Sequence, residues 1–123
     1  MSHPILVRRR AEQHARIRCA ADWARELAKR LDLVAVVVFG SSARGDFNKW
    51  SDIDVLVIAR GLPPDARARL ALLTEAAPPG IQPVGWMPDE FADRRRHKDP
   101  IERECDAVGI TVLGALPPPA VAS

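Results

Sequence analysis

The run FGSSARGDFNKWSDIDVLV, residues 39–57, sets two aspartates one residue apart, Asp52 and Asp54, at the mouth of an otherwise apolar stretch. On a strand, residues i and i+2 face the same side, so these carboxylates share a face with Cα atoms roughly 6.6 Å apart. Like charges this close repel, and a structural role rarely needs them. A divalent cation removes the conflict: Mg²⁺ takes one or two protein carboxylates and completes its shell with water and substrate phosphates. Two metals roughly 4 Å apart can share such carboxylates, activating an attacking oxygen and stabilising a leaving one. The other end of the run supplies the approach for a phosphate chain. Gly40 lets the backbone come close to an anion, and the N–H groups after it open a helical turn whose positive end favours phosphate. Ser41 and Ser42 add hydroxyl donors, and Arg44 on the same turn offers a bidentate contact to a phosphate oxygen.

Working outward, LDLVAVVVFG (31–40) is β-branched and nearly continuous in apolar residues, which predicts a strand buried on both faces. Ile53 to Ala59 predicts a second buried strand after a polar loop. Upstream, Ile17, Ala20, Ala21, Ala24, Leu27, Ala28 and Leu31 recur at three- and four-residue steps, which predicts one long helix over 7–31. Downstream, Asp65 is placed to cap a helix through ARARLALLTEA. IQPVGW (81–86) predicts a short strand that its proline confines to a sheet edge or an irregular course. Helices follow from MPDEF to the HKDP break and from Pro100 through IERECDAV, then a last strand in GITVLG. The Pro-rich ALPPPAVAS, residues 115–123, predicts a disordered or extended tail after a single domain over 1–114. The class is α/β (α+β): a small domain with a mixed β-sheet and helices packed mainly on one face.

Composition narrows the function classes. With 123 residues, 47% apolar and 28% charged, the chain suits one soluble globular domain. No apolar stretch approaches a membrane span, and MSHPILVRRR holds too short an apolar run for a secretory leader. The expected location is cytoplasmic. Cys19 and Cys105 lack zinc-ligand or redox spacing and read as reduced thiols. A net charge of +2 neither demands nor excludes nucleic acid, despite the arginine runs at 8–10 and 94–96. Such runs are more often solvated helix faces, and no aromatic residues interleave with them to stack bases.

Gly40 and Ser41, ten further residues, then Asp52, one residue and Asp54, flanked by Phe39, Ile53 and Val55, resemble the signature of the DNA polymerase β-like nucleotidyltransferase superfamily. GSSARGDFNKWSDIDVLV is similar to its small stand-alone branch, the minimal nucleotidyltransferases, with the likeness covering most of 20–112. The resemblance implies that Gly40 and Ser41, with Ser42 and Arg44 beside them, hold the triphosphate of ATP, and that Asp52 and Asp54 are catalytic and ligate Mg²⁺. It also implies a partner: members of this branch are often paired with a helical HEPN-type toxin, and some transfer AMP to it as the antitoxin.

The pattern departs from that family at one point. Catalytic members carry a third carboxylate on the next core strand, and Gln82 stands about where it belongs. An amide can accept a hydrogen bond but cannot act as a general base. Asp89, Glu90, Glu102, Glu104 and Asp106 are the downstream acids that could substitute, although they also fit helix first turns and solvated faces. Two alternatives therefore stand beside AMP transfer to a partner: a nucleotide-binding protein that neutralises its partner by occlusion, and nucleotide addition to RNA or tRNA ends. Trp50, just before SDID, is placed either to stack on a base or to anchor the loop by packing. His3, His14 and His97 are isolated and make no ligand pair.

Overall fold

The computed structural model describes residues 3–75 and 77–119. Helix α1 spans Pro4–Leu27, starting and ending a few residues earlier than the apolar period suggests. Pro4 suits a first helical position, and the His3 ring accepts the Ile5 N–H at 3.2 Å as an N-cap. Strand β1 (Asp32–Phe39) leads into one helical turn, α2 (Gly40–Arg44), and after a loop β2 (Ile53–Arg60) returns. Then come α3 (Ala66–Thr74), β3 (Ile81–Trp86), α4 (Pro88–Arg96), α5 (Pro100–Val108) and β4 (Ile110–Gly114). The Asp65 carboxylate caps α3 through the Ala68 N–H at 2.9 Å, and Asp99 caps α5 through Ile101 and Glu102.

The four strands form one mixed sheet in the order β3-β2-β1-β4. β1 runs antiparallel to both neighbours, while β2 and β3 are parallel. The two central strands are the ones with near-continuous apolar sequence, because both of their faces are covered. β3 is one of the two edge strands, where the missing N–H of Pro83 is tolerated.

Strand alternation sorts the core into two clusters. Val36, Val38, Ile53, Val55, Val57 and Ala59 face Ala20, Trp23, Ala24 and Leu27 of α1 and Leu73 of α3. Ala35, Val37, Phe39, Leu56, Ile58 and Trp86 face Phe91 of α4 and Cys105 of α5. Each fully buried Val, Leu or Ile removes enough apolar surface to contribute about 1.5–3 kcal/mol. The heavier helical cover lies on the first face, with 24 residues in α1 and 9 in α3. The second face is also covered, by the 9-residue helices α4 and α5, because both central strands are apolar on both sides. After β4 the Pro-rich stretch forms no helix or strand as far as residue 119, and its Leu116 packs against the second cluster. Residues 120–123, the rest of the expected tail, lie outside the described residues.

Candidate active site

The site forms where β1 ends beside β2. Phe39 is the register partner of Asp54, so the chain turns at Gly40 directly over the Asp54 carboxylate. Gly40 has φ +71°, the left-handed region, and a Cβ there would overlap Oδ2 of Asp54. Two separate constraints thus require glycine: backbone conformation and space. Ile53, buried in the first cluster, turns Asp52 and Asp54 together to the opposite face, the one that α5 covers. Asp52 is exposed and Asp54 half-buried. Burial first, then the neighbouring charges of Asp52 and Glu104, push the Asp54 carboxyl above its ordinary range, against the pull of Arg44. This is a carboxylate pair short of compensating positive charge.

Arg44 is exposed on α2, with Nε 3.1 Å from Asp46 Oδ2 and a second ion pair to Glu104 of α5. Ser41 is half-buried, and its carbonyl accepts the Gly45 N–H at 2.8 Å. Ser42 differs from its expected role. It is fully buried, and its hydroxyl accepts from Arg16 at 3.3 Å instead of facing solvent. Gln82 is the register partner of Asp54 on β3, so the position across from the second aspartate holds an amide. Of the downstream acids, Glu104 is the one that α5 brings to bear on Asp54; Glu90 instead caps α4 and pairs with Arg69. Among the described residues, no group of three or more His, Cys, Asp or Glu side chains could together hold a metal. Two carboxylate donors still fit Mg²⁺, which commonly uses one or two and fills its shell from water and phosphate.

The 46–51 loop is anchored by residues that carry no motif. Phe47, not Trp50, is its packing anchor: Phe47 is 3% exposed and Trp50 81%. The Arg16 guanidinium stacks 4.3 Å over the Phe47 ring, and that of Arg9 lies 5.0 Å from it. Arg9 also donates to the carbonyls of Gly45 and Phe47, and Gln13 donates to those of Ser42 and Ala43 at 3.0 and 3.1 Å. Within the loop, Asn48 Oδ1 accepts the Trp50 N–H at 2.8 Å, and Ser51 Oγ accepts the Asn48 N–H at 3.0 Å. The signal for Arg9, Gln13 and Arg16 was present in the sequence. They continue the buried stripe of α1 toward its N-terminus at steps of four and three.

The arginines of 94–96 are ion-paired: Arg94 with Asp99, Arg95 with Glu102 and Asp106, Arg96 with Asp93. A cleft of about 790 Å³ at the α4–α5 turn is lined by charged side chains that include Asp93, Arg94, Arg96 and Asp99, and it includes neither the glycine turn nor Asp52 and Asp54. Its volume reflects an open, ion-paired surface and not the site's chemistry.

The comparisons with known proteins agree with this geometry. A candidate nucleotidyltransferase from Sulfolobus solfataricus superposes with a TM-score of 0.62 at 19% identity, over 84% of each chain. A toxin–antitoxin structure with AMP-PNP gives 0.52 at 20% identity, covering 77% of this chain and 73% of that one. At these identities the likeness concerns the fold. A candidate protein adenylyltransferase of Methanocaldococcus jannaschii is 53% identical over 32 residues, 26% of this chain and 22% of that protein's length. This chain therefore matches about a fifth of that curated relative. The family model described as a nucleotidyltransferase domain matches residues 22–107, from the last turns of α1 through most of α5. With the glycine turn, the aspartate pair and the first three strands of the sheet inside that span, the chain belongs to the nucleotidyltransferase domain family.

Proposed function

We propose that this protein transfers a nucleoside monophosphate, AMP from ATP, to a hydroxyl of a partner protein, as the antitoxin of a HEPN-type toxin–antitoxin pair. The observation that carries the reading is the seating of Gly40 over Asp54, which makes the backbone turn and the aspartate pair one cradle. Gly40 and Ser41 hold phosphate oxygens through N–H groups and the Ser41 hydroxyl, and Arg44 exchanges its carboxylate partners for phosphate. Asp52 and Asp54 hold Mg²⁺, which when bound neutralises charge on the phosphates and lowers the barrier to displacement. In the reaction, the acceptor oxygen forms a bond to the α-phosphorus and the bond from it to the bridging oxygen of the β-phosphate breaks. Pyrophosphate leaves with that electron pair, and the acceptor's proton passes to a nearby base. The toxin–antitoxin neighbour with AMP-PNP and the adenylyltransferase match support the choice of nucleotide and acceptor.

Gln82 favours a second reading. With an amide opposite Asp54, nucleotide binding can persist without turnover, and the partner is then neutralised by occlusion. Intact mass spectrometry of the neighbouring-gene product, after incubation with this protein, Mg²⁺ and ATP, separates the two. A gain of AMP units that disappears with Asp52→Asn supports transfer. A stable complex with no mass gain supports occlusion, and absence of both complex and mass gain removes the antitoxin reading.

A further inference from the structure

Arg16 lies on α1, outside the strand–turn–strand unit that carries the motif, yet it touches both halves of that unit. Its Nη1 donates to Ser42 Oγ at 3.3 Å and to the Ser51 carbonyl at 2.9 Å; its Nη2 donates to the Asn48 carbonyl at 2.9 Å. Ser42 is two residues beyond Gly40, and Ser51 immediately precedes Asp52. Between these points the chain crosses Asn48, Lys49 and Trp50, all exposed; besides Arg16, buried Phe47 and Arg9 hold the loop, and the β1–β2 register sets Phe39 against Asp54. Of the three polar residues that α1 directs at this region, Gln13 reaches only the turn, at Ser42 and Ala43. Arg9 reaches only Gly45 and Phe47. Arg16 alone spans from the turn to the residue before the first aspartate.

We propose that Arg16 is a positioning residue that sets the spacing between the phosphate-binding turn and the metal-binding aspartates. The inference rests on the nucleotide reading of the site given above. A guanidinium suits the task because its rigid fork presents several donors in one plane while its face stacks on Phe47. No carboxylate among the described residues pairs with Arg16, so its charge also remains available behind the turn that receives phosphate. A lysine offers a point charge and cannot make the same three contacts with one rigid group.

The test uses the full chain with Arg16→Ala and Arg16→Lys, read three ways. Amide exchange follows Asn48, Trp50 and Ser51, whose N–H groups are hydrogen-bonded inside the loop. Calorimetry measures Mg²⁺·AMP-PNP affinity, and intact mass measures the AMP transfer rate. In both variants these amides exchange about tenfold faster while the sheet amides keep their protection. Transfer falls on the order of 100-fold, because a displacement near 1 Å has that effect on a positioned reaction, and affinity falls much less. Arg16→Lys fails to restore transfer. Loop exchange and transfer within twofold of wild type in Arg16→Ala overturn the proposal, as does full restoration by lysine. Should alanine unfold the chain, the lysine variant decides alone. A wild-type protein that binds no Mg²⁺·AMP-PNP sinks the nucleotide reading instead, and the exchange rates then still report whether Arg16 holds the two segments.

Discussion

Gln82 and Asp54 are register partners on neighbouring parallel strands, so their side chains emerge on the same side of the sheet. An amide there spares the apo protein a third like charge beside a carboxylate already pushed up by burial and by Asp52. Gln82→Asp reverses that choice. Without metal, the added repulsion costs about 0.5–1 kcal/mol, which in a domain of this size lowers Tm by a few degrees. Millimolar Mg²⁺ restores Tm, because an ion that binds only the folded state stabilises it by mass action. Melting curves with and without Mg²⁺ measure both effects, and a variant indifferent to Mg²⁺ contradicts the metal role of the aspartates. Gly40 is the converse case, where the residue type follows from two neighbours at once. Its positive φ comes from the turn, and its missing side chain leaves room for Asp54.

At the scale of elements, α1 does two jobs along its length. Its C-terminal half, with Ala20, Trp23, Ala24 and Leu27, packs on the sheet, while Arg9, Gln13 and Arg16 reach backbone carbonyls of α2 and the 46–51 loop. The opposite face is tied together by Arg95. It reaches Glu102 and Asp106 of α5 at 2.8 Å and the Pro117 carbonyl at 2.6 Å, joining α4, α5 and the chain after β4. The Glu102 side chain is 3% exposed, so removing its partner strands a buried charge. Arg95→Met is expected to destabilise by about 3 kcal/mol, and a further Glu102→Leu to recover much of that loss. Urea unfolding of the single and double variants checks this. Equal stability of the two would show that the pair matters through packing and not through charge. The same network explains why the arginine run at 94–96, read from sequence as a solvated face, includes a half-buried member.

Over the whole molecule, alkaline pH probes how tightly the α5 face is closed. Cys105 is 2% exposed, and burial, with the nearby charges of Glu104 and Asp106 adding to it, pushes its thiol up to about 12. Its ordinary value is 9.0. A group whose folded pKa is raised contributes stability that is present below the unfolded pKa and lost as pH rises toward the folded one. Stability should therefore decline between about pH 9 and 12, and the absence of tyrosine removes one competing alkaline titration. Urea midpoints at pH 8 and 10.5 should fall in wild type and fall less in Cys105→Ala. An identical decline in both would assign the loss to other groups. At pH 8 the buried thiol should also resist thiol reagents that modify the half-buried Cys19.

What the sequence by itself determined was whatever depends on near neighbours along the chain. The doubly buried central strands, the capping Asp65, the edge proline of β3, the glycine turn and the paired aspartates are all legible because their physics acts over one to four residues. The tertiary structure alone decided what depends on sequence-distant segments meeting. It showed that Ser42 turns inward to Arg16, that Phe47 anchors the loop in place of Trp50, and that Glu104 comes to bear on Asp54 from α5. These contacts join residues 26 to 50 positions apart; the α1 stripe marks Arg16 as inward-facing, but no local spacing encodes what it meets. They follow from sheet register and from which face each helix covers, and those are settled only when the chain closes on its core.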